Sequence, residues 1–283
     1  MDPVEIRRLT IKALFSDDVL LDQLVLKGGN ALNLVHRIGN RSSLDIDLSL
    51  EQDFSNPKDA QERIFRALGD RFRAEGLLVF DEGFREIASD GEDRLASKWG
   101  GYEFTFKVIE RMRFDELRGD VRKAQIQSLV TGPNQERTFT IQVSKFEYCA
   151  DKVAASFDDY TIYVYTPAMI AFEKLRAICQ QMDEYPRRKH RTPRARDFFD
   201  IVEITTWRDL DFGRPENHEL VERIFHAKSV ALELISRIPA YREFHRPDWP
   251  QVQNAVSIQL QEFDFYFDFV VRQTELLEPL WIK

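Results

Sequence analysis

The chain has 283 residues, of which 43% are hydrophobic and 31% charged, a composition typical of a globular protein with material for a sizeable core. Its formal net charge of −8 argues against general coating of nucleic acid, and no apolar run approaches the ~20 residues that a membrane-spanning helix needs. Residues 1–10 are polar and charged, so no signal peptide is expected and the protein is predicted to be cytoplasmic. Cys149 and Cys179 are too few for a disulfide framework and are predicted to be reduced core residues.

The N-terminal part of the chain alternates helical and strand patterns. Residues 4–22 place apolar side chains at helical spacing and predict an amphipathic helix. The apolar run at 24–26 stops at a Gly-Gly pair, which predicts a strand and then a turn, and Asn30 is predicted to cap the helix that follows. Residues 44–48 alternate apolar and acidic side chains, as a strand does.

The remaining sequence separates into a mixed part and a helical part. One helix is predicted at 59–75, and strands are predicted at 102–109 and 138–146. From Pro167 onward the pattern is helical. We therefore predict an α/β (α+β) fold, with a mixed-sheet domain at 1–165 and an α-helical domain at 166–283.

An acidic strand follows the glycine turn. Asp45 and Asp47 are two residues apart on the predicted strand, so their carboxylates point to the same face and repel each other unless a cation lies between them. Two hard oxygen ligands suit Mg²⁺, which keeps its other positions for water and phosphate oxygens. The Gly28-Gly29 turn allows a ligand to approach the backbone closely, and the helix start behind it favours an anion.

Each of these signals is weak alone. An isolated Asp-x-Asp is most often a solvated strand face, and a Gly-Gly pair is most often a plain turn. Their placement on successive elements, with Ser43 just before the acidic pair, favours one site in which the turn holds a triphosphate and the two aspartates hold its metal. The chain has no Walker A motif, no Gly-x-Ser-x-Gly motif and no Cys/His ligand set, which disfavours a P-loop ATPase, a serine hydrolase and a zinc site.

The two motifs together resemble a known family. Residues 26–32 have the sequence Leu-Lys-Gly-Gly-Asn-Ala-Leu, and residues 41–48 have the sequence Arg-x-Ser-x-Asp-Ile-Asp-Leu. They resemble the Gly-Gly-Thr/Ser-Ala-Leu turn and the Arg-x-Ser-x-Asp-Ile/Leu-Asp strand of the AbiEii/AbiGii (MenT-like) nucleotidyltransferase toxins, which belong to bacterial abortive-infection toxin–antitoxin pairs. Asn30 stands where the family usually has a hydroxyl residue, and an asparagine can also contact a phosphate.

A distal pair of motifs supports the same resemblance. Residues 167–177 resemble the helix of the family that carries Lys-Leu-x-Ala, and residues 194–200 resemble its Arg-x-x-Asp-Leu/Phe-Tyr/Phe-Asp element. The resemblance implies that Lys174 contacts nucleotide phosphates, that Asp197 is an essential acid and that Asp200 supports the fold. From the residues alone, Lys174 would extend to solvent and the two aspartates would pair with neighbouring arginines.

The resemblance implies a nucleotidyltransferase-type sheet that the helical half closes over. It implies Mg²⁺-dependent (or Mn²⁺-dependent) transfer of a nucleoside monophosphate from an NTP to an RNA acceptor. That acceptor is expected to be the 3′ end of tRNA, so that the toxin blocks translation in phage defence. It also implies a cognate antitoxin as partner and does not favour DNA or membrane.

These implications assign a role to particular residues. The predicted catalytic residues are Asp45, Asp47, Lys174 and Asp197, and Asp45 and Asp47 are the predicted metal ligands. The predicted nucleotide-binding residues are Lys27, Gly28, Gly29, Asn30, Arg41 and Ser43.

Several alternatives stay open at this point. The basic run at 187–196 is either a solvated loop or a docking site for RNA phosphates, formed by Arg187, Arg188, Lys189, Arg191 and Arg194. A third metal carboxylate, common in the wider superfamily, is not evident: Gln142 stands where it would be expected, and Glu103 and Glu147 are other candidates. The acceptor could instead be a protein hydroxyl, or the chain could be a catalytically silent nucleotide- or partner-binding module, although retention of both aspartates argues against the last.

Overall fold

A computed structural model describes residues 2–39, 43, 45–87, 100–132, 135–185, 190–256 and 259–282. The predicted residues Arg41, Arg187, Arg188 and Lys189 lie outside these ranges. The described chain forms a seven-stranded mixed sheet with helices against it, and helices make up its C-terminal part. The predicted α/β (α+β) fold is thereby confirmed.

The strands belong to one sheet. They are β1 (Val25–Lys27), β2 (Ile46–Ser49), β3 (Leu77–Ile87), β4 (Gly101–Glu110), β5 (Phe139–Ser144), β6 (Val153–Phe157) and β7 (Tyr160–Val164). Their order across the sheet is β3-β4-β5-β2-β1-β7-β6. The pairs β2–β5 and β1–β7 are parallel, and the other neighbours are antiparallel. β1 and β2 therefore lie in the middle of the sheet, where both of their backbone edges are paired.

Several of the helices begin at a residue whose side chain caps them. They are α1 (Pro3–Leu14), α2 (Asp18–Gln23), α3 (Gly28–Asn30), α4 (Pro57–Ala74), α5 (Arg111–Glu116), α6 (Val121–Gln127), α7 (Pro167–Cys179), α8 (Ala195–Arg208), α9 (Pro215–Ala227), α10 (Arg242–His245), α11 (Trp249–Asn254) and α12 (Phe263–Glu275). A π-helical turn, Ala31–His36, continues α3, and 3₁₀ segments lie at Leu232–Tyr241, Arg246–Asp248 and Glu278–Leu280. The side chains of Asp2, Asn56 and Thr166 accept backbone N–H groups at the starts of α1, α4 and α7, and a proline follows each.

The first fifty residues depart from the predicted elements at three places. The predicted helix at 4–22 is divided into α1 and α2, because Asp17 caps a new helix and accepts the N–H groups of Val19 and Leu20. The predicted strand at 44–48 begins only at Ile46, so Asp45 precedes it. The predicted capping role of Asn30 is wrong: Asn30 lies inside the helical turn, and its amide Nδ2 donates to the carbonyl of Asp45 (2.6 Å).

Strands β3, β6 and β7 were not predicted. The alternation of β3 is interrupted by a register shift between Phe80 and Gly83, which hides a long strand in the sequence pattern. β6 and β7 form a hairpin around Asp158, and β3 and β6 lie at the two edges of the sheet. Edge strands carry charged and small residues on exposed positions, which weakens the apolar signal.

The hydrophobic core runs through both parts of the chain. Phe104 and Ile141 of the sheet, Phe172 of α7 and Phe198 of α8 are fully buried in one continuous cluster. Both cysteines are free and buried, as the sequence predicts. The division into domains at 165/166 stays a prediction. Among the described helices, none has the length and apolar character needed to cross a membrane.

Candidate active site

A cleft of about 550 Å³ lies where the middle of the sheet meets α7 and α8. This volume is within the range of small-molecule sites. The cleft is lined by groups from the turn after β1, from β2 and β5, from α7, and from the start of α8. Of the described residues predicted for the site, the cleft brings together Lys27, Gly28, Gly29, Ser43, Asp45, Asp47, Lys174, Arg194 and Asp197. The motifs at 26–48 and 167–200 therefore meet at one place.

The glycine turn and the acidic strand are in direct contact. Lys27 of β1 is the ladder partner of Asp47 in β2, so Gly28 continues past the Asp47 side chain. Gly28 has φ +67°, and a Cβ placed on it would lie under 3.0 Å from Asp47 Oδ2. Only glycine fits both the left-handed backbone and this close approach. The shape of the turn is thus fitted to the carboxylate that it touches.

Asp45 and Asp47 form an acidic pair for which the described residues supply no close cation. No Lys, Arg or His in the described part of the chain has a nitrogen within 4.0 Å of either carboxylate. Burial raises the pKa of Asp47 to about 6, with Lys27 opposing and Asp45 adding to the shift. Desolvation in the cleft also raises the pKa of Asp45, although Arg196 opposes it. Both shifts mean that the ionised pair is disfavoured until a cation is supplied.

Two polar side chains hold the backbone of Asp45. Asn30 Nδ2 donates to the Asp45 carbonyl, and Ser43 Oγ donates to the same oxygen at 3.4 Å. Ser43 lines the cleft, whereas Asn30 is buried and is not among the described residues that line it. Asn30 therefore orients the acidic pair from behind.

No described side chain completes a third carboxylate ligand. Gln142 is the ladder partner of Asp47 in β5, so the neighbouring position on the sheet carries an uncharged amide. Glu103 lies one strand further, opposite Gln142, and accepts hydrogen bonds from Arg85 (2.9 Å). Glu147 is buried among cations. Neither acid is therefore placed as the third ligand.

Lys27 lies in a buried ionic cluster. Its ammonium pairs with Glu173 and lies 3.6 Å from Glu147 Oε1. Arg176 Nη1 lies 2.7 Å from Glu147 Oε2, and Lys228 Nζ lies 3.3 Å from Glu147 Oε1. Although burial opposes its charge, Glu173 and Glu147 raise the pKa of Lys27 to about 12. The same surroundings hold the pKa of Glu147 well below its usual range, since Arg176, Lys27 and Lys228 outweigh its burial.

Lys174 is enclosed by two acids of α8. Its ammonium lies 3.0 Å from Asp197 Oδ1 and 2.7 Å from Asp200 Oδ2. The other oxygen of Asp197 lies 2.6 Å from Arg194 Nε. Burial works against the charge of Asp197, but Arg194 and Lys174 lower its pKa. The residues alone suggested that Lys174 would extend to solvent. Instead, its ion pairs connect α7 to α8 at the wall of the cleft.

The described residues of the basic run divide into two groups. Arg194 and Arg196 line the cleft, and Arg196 is exposed. Arg191 pairs with Asp183 (2.7 Å) and lies over the ring of Phe244, away from the cleft lining. Among the described residues of the run, the arginines that face the site are therefore those at the end that adjoins α8.

Charged residues that were not among the predicted site residues also line the cleft, notably Glu173, Arg176 and Lys228. Glu173 and Arg176 flank Lys174 in the distal motif, and a charged trio on an otherwise apolar helix is a signal that could have indicated them. Lys228 follows α9 and carries no motif, so no local pattern points to it.

The donor set fits one divalent cation. No group of three or more His, Cys, Asp or Glu side chains arranged for a metal occurs in the described ranges. Mg²⁺ in phosphate-transfer sites, however, takes one or two carboxylates and fills its other positions with water and substrate phosphates. Asp45 and Asp47, with the close glycine cradle beside them, offer this arrangement.

The family of the chain follows from comparison with known proteins. The model of the nucleotidyl transferase AbiEii toxin family, of type IV toxin–antitoxin systems, matches residues 11–269. None of the curated proteins matches the chain. Among solved structures, the chain is similar to that titled crystal structure of JHP933 from Helicobacter pylori, with 16% identity, a TM-score of 0.47, and coverage of 98% of this chain and 91% of that chain. Because the family match spans most of its length, the chain belongs to the AbiEii nucleotidyl transferase toxin family of type IV toxin–antitoxin systems.

Proposed function

We propose that this toxin uses Mg²⁺ and an NTP to add a nucleoside monophosphate to RNA, at the 3′ end of tRNA. The observation that carries the proposal is the Asp45–Asp47 pair, which has no described cationic partner and lies against the Gly28 turn in a cleft of nucleotide size. A buried carboxyl pair of this kind is stabilised by an incoming cation, and a nucleoside triphosphate enters its site as a metal complex.

The residues around the cleft have distinct roles in this proposal. Asp45 and Asp47 would hold Mg²⁺, which when bound neutralises phosphate charge and lowers the pKa of the attacking hydroxyl. The backbone of the Gly28-Gly29 turn and the hydroxyl of Ser43 would position the phosphates beside them. Asn30 keeps the Asp45 backbone in place through its bond to the carbonyl.

Asp197 suits a positioning role better than that of a general base. Its two oxygens are already engaged by Lys174 and Arg194, and these cations lower its pKa. A carboxylate with a low pKa is a weak proton acceptor near neutral pH. We therefore assign to Asp197 the orientation of the acceptor hydroxyl and of Arg194, and leave proton acceptance to solvent.

An RNA terminus suits the surface next to the cleft. The whole chain is acidic, but Arg194 and Arg196 put two guanidinium groups at the cleft itself, where backbone phosphates of an acceptor strand would lie. The 3′ end of tRNA is single-stranded, so it would present its terminal hydroxyl to the cleft without a paired strand beside it. Membership of a toxin–antitoxin family also makes a cognate antitoxin the expected regulator.

Incubation with labelled NTPs tests this function. Purified protein and Mg²⁺ are combined with total tRNA or with lysate protein, and label is expected in tRNA. Periodate-oxidised tRNA, which lacks the terminal diol, should remain unlabelled if the 3′ end is the acceptor. Label in protein alone would replace RNA with a protein hydroxyl, and no label in either would overturn the activity.

The matched variants are Asp45→Ala and Asp70→Asn. Asp45→Ala should abolish labelling by removing a metal ligand. Asp70 is an exposed acid on α4, paired with Arg73, so Asp70→Asn should label tRNA like the unmodified protein. Label that survives Asp45→Ala would refute the metal assignment.

A further inference from the structure

Five charged residues beside the acidic pair form a buried group with an excess of positive charge. The Glu147 cluster consists of the cations Lys27, Arg176 and Lys228 and the carboxylates Glu147 and Glu173. Each of the five side chains is 14% exposed or less, and each lines the cleft. Three cations face two carboxylates, so with every member ionised the cluster carries one net positive charge. Lys27 also acts on the Asp47 carboxylate, but a cation bound at the acidic pair would neutralise that carboxylate, so a further anion entering the cleft would stabilise this cluster.

Two donors of the cluster remain available. Lys228 Nζ donates to the Lys145 carbonyl (2.6 Å) and pairs with Glu147, while an ammonium has three N–H groups to donate. Within the described part of the chain, Arg176 Nε is buried and has no hydrogen-bond partner. A phosphate oxygen is the acceptor that such donors favour.

The cluster also lies at the right place for the far end of a triphosphate. Lys27 is the ladder partner of Asp47, and side chains opposite each other on antiparallel strands are about 5 Å apart. Phosphate groups beside a metal at Asp45 and Asp47 would therefore lie within reach of Lys27, whose partner Glu147 also holds Arg176 and Lys228.

Lys174 is less suited to this task. Its ammonium already lies between the carboxylates of Asp197 and Asp200, so its charge is neutralised within the protein. The Glu147 cluster, by contrast, has more positive than negative groups.

We propose that the Glu147 cluster is a polyphosphate subsite that binds the β- and γ-phosphates of the NTP and then the released pyrophosphate, with Lys228 as its decisive donor. The inference rests on the proposed function for its place in the reaction. The acceptor oxygen forms a bond to the α-phosphorus while the bond from that phosphorus to the bridging oxygen breaks. The electron pair leaves with pyrophosphate, whose new negative charge the cluster stabilises, and the acceptor proton passes to solvent.

Binding at this subsite is expected to depend on pH. Burial lowers the pKa of Lys228 to about 8, with Glu147 opposing the shift and Arg176 and Lys27 adding to it. The ammonium is therefore present near pH 7 and is lost as the pH rises above 8 in the empty site. An anion that needs the ammonium should bind less tightly at alkaline pH.

Calorimetric titration with inorganic pyrophosphate in EDTA tests the subsite without metal, nucleoside or RNA. Lys228→Gln should weaken binding about tenfold or more at pH 7, the loss of one charge-assisted hydrogen bond. The dissociation constant of the variant divided by that of the unmodified protein should be smaller at pH 9.5 than at pH 7. The titration of pyrophosphate itself affects both proteins equally. Lys228→Arg, which keeps its charge, should bind at both pH values.

The control is Lys12→Gln. Lys12 is also a largely buried lysine, but its ammonium pairs with Asp158 (3.0 Å), and neither residue is among the described residues that line the cleft. Lys12→Gln should bind pyrophosphate normally. If Lys228→Gln does not fold, the comparison of Lys228→Arg with the unmodified protein across pH carries the test.

Equal pyrophosphate binding by folded Lys228→Gln and unmodified protein, or a Lys228→Arg variant with the same alkaline loss, would overturn the inference. Failure of the tRNA labelling assay with pyrophosphate binding intact and dependent on Lys228 would instead refute the proposed function and leave the anion site standing. In an active enzyme, Lys228→Gln is expected to raise KM for the NTP and to weaken inhibition by pyrophosphate.

Discussion

Two sets of carboxylates share the cleft and have opposite surroundings. Asp45 and Asp47 lie at the start of β2 against a glycine turn, without a described cation within 4.0 Å, and their pKa values are raised. Glu147 and Asp197 are held by two or more cations each, and their pKa values are lowered. The first set needs a charge that the described protein does not supply, whereas the second is satisfied by the fold.

This difference separates the acids that would bind a ligand from the acids that hold the elements of the fold together. The paired acids connect elements that are distant in sequence: Glu147 follows β5 and holds Arg176 of α7, and Asp197 of α8 holds Lys174 of α7. Removing a member of such a pair leaves a buried charge alone. Within the described ranges, Asp45 and Asp47 hold no other element by ion pairs, so their loss is expected to remove function without destabilising the fold.

Asp47→Asn should give the largest effect, a loss of transfer activity of about a thousandfold, because preorganised charge at the phosphate is removed. In the absence of a divalent cation, the free energy of unfolding of this variant should nevertheless exceed that of the unmodified protein by about 1–3 kcal/mol near pH 7. A carboxyl whose folded pKa is raised stabilises the fold below its unfolded pKa and loses that contribution as pH rises through about 6. Thermal unfolding in EDTA should show the advantage of the variant growing from pH 5 to pH 7.5.

Glu147→Gln should show the opposite pattern, with a destabilisation of about 3–5 kcal/mol because three cations lose their shared carboxylate. Urea unfolding followed by circular dichroism measures it. Because the pKa of Glu147 is lowered in the folded state, its contribution is present above the unfolded pKa and is lost only on acidification. A loss below about 1 kcal/mol would remove the distinction between the two sets of acids.

Gly28→Ala should be intermediate, because it strains the turn and displaces the Asp47 carboxylate. The matched control is Gly76→Ala: Gly76 has φ +73° and no neighbour within 4 Å of an added Cβ, so it reports the backbone strain alone, about 1 kcal/mol. Gly28→Ala is expected to lose more stability than this control and to lose transfer activity, which the control retains. Equal stability and equal transfer activity of the two variants would show that the close approach of Gly28 to Asp47 is not needed for function.

The smallest effect concerns pH. A proton on Asp47 competes with a divalent cation, so Mn²⁺ affinity measured by electron paramagnetic resonance should fall several-fold from pH 7.5 to pH 5.5. Asp197→Asn should leave that dependence in place, because Asp197 pairs with Lys174 and Arg194 and not with the acidic strand. Affinity independent of pH over this interval would contradict the raised pKa.

Much of the fold and of the site is readable from local patterns. Alternation of Leu44 to Leu48 predicts β2 to within two residues, and the run from Pro167 predicts α7, because both elements bury one periodic face. The edge strands β3 and β6 could not be predicted in this way, because a register shift and exposed positions interrupt their periodicity. Within the site, Asp45 and Asp47 can be identified from the sequence because the residues of their motif lie close together along the chain.

By itself, the sequence determined the turn-and-strand motif at 26–48 and the distal motif at 167–200, since each depends on residues within one or two elements. Only the tertiary structure decided that Lys27 lies among buried acids, that Gln142 lies beside Asp47, and that Lys228 reaches the cleft. Lys228 and Glu147 come from distant parts of the chain, and their contact depends on sheet register and on how α9 packs against α7. Charge compensation is a property of neighbours in space. The sequence therefore indicated that the acidic pair needs a cation, and the folded chain showed that no described residue supplies one within 4.0 Å.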